Sequence, residues 1–172
     1  MASAGIISTD FMITSKRVLN TDSFNRVIDI NVMGSVYVAK YASVAMSKNE
    51  PLGAYGERGA IIFVSSSAAY EGQRASVAYA ASKAALAGLV LPMARDLGRF
   101  GIRAVSIAPS IFETPLGDGF PEKVREVRLS ETPMKRFGDP KEFAHLVGSV
   151  VENTYVNGVT LKINGATKLS NL

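Results

Sequence analysis

Two unbroken apolar runs, Ala60-Ile-Ile-Phe-Val-Ser65 and Ile102 to Ala108, constrain the fold more than any other feature of the chain. Strands covered on both faces read as continuous hydrophobic stretches, whereas strands open to water on one side alternate. A long helical stretch rich in Ala and small residues, roughly Val77 to Arg99, joins the two runs. Its apolar pattern resumes at Met93 after Pro92, so the proline is expected to kink the helix rather than end it. Strand, helix and strand in this order imply right-handed crossovers and a parallel sheet.

The remaining segments extend the alternation. Residues 1–7 read as the end of a strand and residues 8–20 as a loop. Thr21 or Asp22 can cap a helix to about Lys48, with Phe24, Val27, Ile28, Val32, Val36 and Ala39 at helical spacing. Asn49-Glu50-Pro51 stops it, and Gly53 to Gly59 forms a turn-rich connection without phosphate-loop spacing. Pro109 closes the second apolar run. The Gly/Pro-punctuated stretch 110–132, charged at Glu122, Lys123, Arg125 and Glu126, has the length and composition of an active-site lid. Asp139-Pro140-Lys141-Glu142 starts a helix to about Glu152, and the turn at Asn157-Gly158 leads to a last strand, Val159 to Ile163. With 172 residues and 47% hydrophobic content, one domain (1–172) around one core is expected.

Composition narrows the classes of partner. The net charge of +4 is scattered rather than striped, which argues against a nucleic-acid surface. With no cysteine, thiolate metal sites and disulfides are excluded, and no metal site is expected. No apolar stretch approaches the ~20 residues of a membrane span, and Met1-Ala-Ser-Ala-Gly lacks a secretory leader's basic region. A soluble intracellular protein is the expectation.

The chemistry lies in Ser66-x12-Tyr79-x3-Lys83, between the first apolar run and the Ala-rich helix. One helical turn separates Tyr79 from Lys83 on the same face. An ammonium about 4 Å from a phenol, at an effective dielectric near 20, is worth roughly 4 kcal/mol, or about three pK units toward phenolate. That would bring Tyr79 into the range of a general acid/base. Ser66, at the strand's C-terminal end, is placed to hydrogen-bond a substrate oxygen and steady a developing alkoxide. The three side chains together suit moving a proton while a hydride joins or leaves the same carbon. A Tyr-x3-Lys pair alone is expected ~0.3 times by chance in such a chain, so the specificity comes from the serine offset and the helix context.

The run from Ala60 to Leu97 resembles the short-chain dehydrogenase/reductases, whose active site uses Ser, Tyr and Lys at this spacing. Three further segments match: Asn31-Val32-Met33-Gly34, Ala108 to Pro115, and Ala2-Ser3-Ala4-Gly5. The resemblance implies an NAD-dependent oxidoreductase in which Asn31 completes a catalytic tetrad with Ser66, Tyr79 and Lys83 through a water. It implies that Ser3 and Gly5 lie beneath the adenine ribose, with Tyr79 and Lys83 also on the cofactor. Pro109, Phe112 and Thr114 would hold the nicotinamide, and Gln73 would join Ser66 and Tyr79 at the substrate. Loop agreements from Phe24 to Ala166 are similar to the hydroxyacyl-CoA branch of the family, which acts on acyl-CoA and hydroxysteroid alcohols. That branch implies a homo-oligomer, specifically a homotetramer, through helices 21–48 and 77–99, and a mitochondrial rather than cytoplasmic location.

Departures from the family pattern carry weight too. The first three strands of its Rossmann-type doubly wound sheet, with their Gly-rich pyrophosphate loop, have no counterpart, so an N-terminally truncated, partial fold is expected. Such a chain would expose the strand at residues 1–7 as an edge and hold NAD weakly. Ser110 stands where the family has Gly. The competing expectation is a catalytically impaired form that serves as an oligomerisation or interaction subunit. His145 reads as a surface or packing residue, Glu113 as an exposed loop carboxylate, and Tyr37, Tyr41 and Met46 as core or interface.

Overall fold

A computed structural model describes residues 1–114 and 121–168. Three parallel strands, β1 (Gly59–Val64), β2 (Ile102–Pro109) and β3 (Thr160–Ile163), lie in that order, with Gly59 opposite Ile102 and Ser106 opposite Thr160. Side chains alternate across the sheet, and both faces are covered. Ile61, Phe63 and Ile102 pack with Leu86 and Val90 of α3 (Val77–Leu97) and Ala39 of α2 (Gly34–Met46). On the opposite face, Ile62, Val105 and Ile107 meet Val150, Phe143 and Leu146 of α5 (Pro140–Glu152). A sheet buried on both sides is what the unbroken apolar runs require. Asp139 and Glu142 form the expected capping box at the start of α5.

The start of the chain departs from the expected strand. Only Ala2 pairs with β1, through Ala2 N–H to Ile62 O (2.8 Å) and Val64 N–H to Ala2 O (3.1 Å). Further on, the Asn31 side chain takes over the backbone partnership. It accepts from Ile6 N–H (2.8 Å) and donates to Ile6 O (3.0 Å), replacing a ladder by an amide. The cap of α1 (Thr21–Ile28) also lies one residue earlier than expected. Asn20 is extended, accepts from Ser23 N–H, and has its own N–H taken by Asp10 Oδ2, whereas Thr21 is already helical.

Between α1 and α2 lies a π-helical segment, Asp29–Met33. Val27, Asn31, Ser35 and Ala39 are all buried, at a strict spacing of four. Twelve residues at about 100° each overrun three turns by about 120°. The wider π turn absorbs most of that excess and keeps all four on the inner face.

A second correction concerns α3. With the 3₁₀ turn after it, Val77–Phe100 is long and apolar enough to cross a membrane by length and composition, contrary to the expectation. Small residues between its Leu and Val positions kept it from reading as an apolar run. Its inner face, Leu86, Val90 and Ala94, lies in the core, and the same helix buries Lys83. The helix continues through Pro92. The lid stretch contains α4 (Glu122–Glu131), while residues 115–120 of it lie outside the described residues.

Candidate active site

β1 ends at Val64, and the next two serines point in opposite directions, as alternation on an extended chain requires. Ser65 is buried and donates its hydroxyl to Lys83 O of α3 (2.7 Å). Ser66, extended at φ −163° and ψ 156°, caps a 3₁₀ turn (Ser67–Ala69) and accepts from Ala68 N–H (3.2 Å). It faces the Tyr79 hydroxyl closely enough to favour the phenolate. Lys83 Nζ donates to Val64 O (2.8 Å) and lies 5.6 Å from the Tyr79 ring centroid. Strand end and helix start thereby hold the three groups together.

Their electrostatics differ from the expected pattern. Burial raises the Tyr79 pKa above its ordinary value, and the Ser66 hydrogen bond offsets this only in part. Burial lowers the Lys83 ammonium. Proximity to the ammonium therefore does not bring the phenol toward neutrality, because Lys83 points to the Val64 carbonyl and both groups are desolvated. Tyr79 rests as a protonated donor.

Asn31 stands behind the reacting groups. Its amide nitrogen also donates to Ser82 Oγ (3.0 Å), whose own hydroxyl donates to Tyr79 O (2.7 Å). A continuous set of hydrogen bonds therefore runs from the Ile6 backbone through Asn31 to the backbone of the tyrosine. Asn31 is fully buried, and its side chain ties Ile6 to Ser82 beneath the cleft.

The other expected residues share one cleft of about 570 Å³ at the C-terminal ends of β1 and β2. Ser3, Gly5, Pro109, Phe112 and Thr114 line it together with Ser66, Gln73, Tyr79 and Lys83. A Cβ on Gly5 would come within 3.2 Å of Asn31 Oδ1 and 3.6 Å of Lys83 Nζ, so glycine lets the backbone approach both side chains closely. A Cβ on Gly138 would run into the Phe112 ring, which pairs with it across Glu113 N–H to Gly138 O (2.9 Å). Pro115, expected beside Thr114, lies outside the described residues.

Gln73 is on the cleft wall, but its amide oxygen, oriented by its surroundings, accepts from Arg128 Nη1 at 2.9 Å. Arg128 also donates to Glu131 Oε2 (2.8 Å) and is buried on α4. Neither Arg128 nor Arg74, a second cleft residue, was expected from the sequence. The signal was available for one of them: Val124 and Arg128 are one helical turn apart, so an inward valine implies an inward arginine. Glu113 has both carboxylate oxygens on Arg125 (2.8 Å each) and His145 is exposed, as expected for an outer carboxylate and a surface histidine.

A family model described as "Enoyl-(Acyl carrier protein) reductase" matches residues 1–166. The 3-hydroxyacyl-CoA dehydrogenase type-2 of Bos taurus is 40% identical over 169 residues, 98% of this chain and 64% of the relative. Its Rattus norvegicus counterpart is 44% identical over 154 residues, 89% of this chain and 59% of the relative. The crystal structure of 3-hydroxyacyl-CoA dehydrogenase type-2 from Mycobacterium avium superposes with a TM-score of 0.92 at 33% identity, covering 98% of this chain and 66% of that one. The chain thus spans less than two thirds of the length of these relatives.

Proposed function

The chain belongs to the short-chain dehydrogenase/reductase family, and from that premise we propose that its cleft interconverts a secondary alcohol and a ketone on an acyl-CoA thioester, with NAD as cofactor. The observation that carries this reading is the convergence of Ser66, Tyr79 and Lys83 on one cleft with Gly5 and the Pro109–Thr114 wall. Bound NAD would supply the hydride acceptor. Ser3, Gly5, Pro109, Phe112 and Thr114 would hold it, since all five line the cleft together with Tyr79 and Lys83.

The chain's own groups handle the proton. Ser66 orients the alcohol oxygen, and Tyr79 exchanges the hydroxyl proton with it. A phenol with a raised pKa already holds the proton that a ketone needs, so reduction is favoured at neutral pH. Oxidation requires phenolate. The expected result is ketone-dependent oxidation of NADH with acetoacetyl-CoA near pH 7, and alcohol oxidation that gains rate as pH rises toward and past 10. Saturable quenching or enhancement of NADH fluorescence on the purified chain is the first check. An absence of binding at millimolar cofactor would support the interaction-subunit reading.

That second reading has an observation of its own. Tyr37, Val38, Tyr41 and Val44 of α2 are 54–68% exposed and form an apolar outer face. We infer a homo-oligomer, in the branch's case a tetramer, through this face and the outer side of α3. Tyr41→Glu should shift the chain to a smaller species in sedimentation velocity without changing its circular dichroism. An unchanged sedimentation coefficient would place the interface elsewhere.

A further inference from the structure

Arg128 reaches the cleft from α4 as half of an ion pair. Its Nη1 donates to Glu131 Oε2 (2.8 Å), one turn on along the same helix, and the two side chains are only 10% and 12% exposed. A guanidinium paired in this way contributes direction more than charge, because its donors lie in one rigid plane. Two of them, Nη1 (2.9 Å) and Nη2, fall on the amide oxygen of Gln73, a half-buried residue on the loop before α3 that lines the same cleft.

An amide oxygen has two lone pairs, and two guanidinium donors fill both. The polar atom that Gln73 retains for a ligand is its nitrogen, which can only donate. A glutamine amide left to itself turns between two broad, nearly equal wells, so the loop alone would not choose between donor and acceptor. The backbone beneath it is already fixed. Ser76 N–H donates to Gln73 O (3.2 Å), Asp10 N–H donates to Ala75 O (2.8 Å), and Ala75 is held at φ +60°, a left-handed conformation that an alanine keeps only where its surroundings impose it. The rotation of the amide is what the loop leaves open, and Arg128 closes it.

We propose that Arg128 is a positioning residue: by taking the Gln73 oxygen it turns the amide NH2 toward the occupant of the cleft, so this wall selects a hydrogen-bond acceptor on the substrate, apart from the oxygen that Ser66 and Tyr79 take. The proposal rests on the dehydrogenase reading only in taking that occupant to be a ketone or an alcohol.

The experiment measures, by calorimetry on the full chain, the binding of two probes that differ in one carbonyl: acetoacetyl-pantetheine and S-(3-oxobutyl)-pantetheine, in which a methylene replaces the thioester carbonyl. The wild type should bind the first about tenfold tighter, the scale of one hydrogen bond. Gln73→Glu keeps a partner for the guanidinium but offers no NH2, so the preference should vanish. Arg128→Leu frees the amide, and the preference should fall about threefold, the scale of ordering one side chain, with Arg128→Lys restoring part of it. Equal binding of the two probes by the wild type, or binding of neither, would overturn the proposal. So would a tenfold preference retained in Gln73→Glu, or an Arg128→Leu variant that weakens both probes equally, which is what a merely structural arginine would do. Should Arg128→Leu not fold, Gln73→Glu and Arg128→Lys decide the matter by the same ratio. If the ratios behave as expected while neither probe is reduced with NADH, the positioning role stands and the dehydrogenase reading fails.

Discussion

Tyr79→Phe is expected to lower turnover in both directions by at least ~10²-fold, the usual scale of lost acid/base catalysis, and to abolish the alkaline limb of alcohol oxidation. The sign follows from burial, which raises the phenol above its ordinary pKa of 10.0. Oxidation uses the deprotonated form, so its kcat/KM should climb with pH until that raised pKa is passed. Ser66→Ala removes the hydroxyl that favours phenolate, so the limb should move to still higher pH while turnover falls. Ser65→Ala, one residue away, breaks the bond to Lys83 O instead. It should cost about 1 kcal/mol of stability and leave the pH profile in place. Steady-state rates of the three variants between pH 6 and 11 test the assignment. Wild-type turnover in Tyr79→Phe, or the reverse ranking of the two serines, would refute it.

The largest stability effect is expected at a residue remote from the chemistry. Arg103, itself buried on β2, donates Nη1 to Val150 O (2.8 Å) and Val156 O (3.0 Å), and Nη2 to Val151 O (3.0 Å). Its Nε pairs with Glu57. Two of these carbonyls belong to the last turn of α5, where helices lack internal donors. Arg103→Met would strand three carbonyls and a largely covered carboxylate, a loss of about 3–5 kcal/mol. Against a typical net stability of 5–15 kcal/mol, the melting temperature should fall by roughly 10 °C. Arg103→Lys should recover only part, because an ammonium cannot span the fork. A melt within 2 °C of wild type for Arg103→Met would show that those carbonyls find other donors.

Much of this architecture was readable because it rests on local periodicity. Apolar runs marked β1 and β2, Asp139-Pro140 marked the start of α5, and the offset from Ser66 to Tyr79 agrees with the hydrogen bond between their side chains. What escaped the reading depends on distant partners. The phenol's pKa follows from desolvation by surrounding elements, not from the lysine four residues on. Arg128 meets Gln73 only when the lid helix packs over the loop, and Arg103 finds its partners 46 to 53 residues away. Asn31 was picked out by resemblance, but its bonds to Ile6 and Ser82 require a π turn that helical-wheel reasoning excludes.

That turn gives the helix room to lose one residue and no more. Deleting Val32 or Met33 would let the segment revert to the commoner geometry, and the eleven remaining steps from Val27 to Ala39, at about 100° each, would come within about 20° of three full turns. The amide that holds Ile6 and the alanine packed on β1 would still face inward together, and the exposed tyrosines would keep their side. A second deletion would find no surplus to consume and would rotate everything after it by about 100°, so the π turn marks the one place where this helix can change length without turning the site and the outer face out of phase.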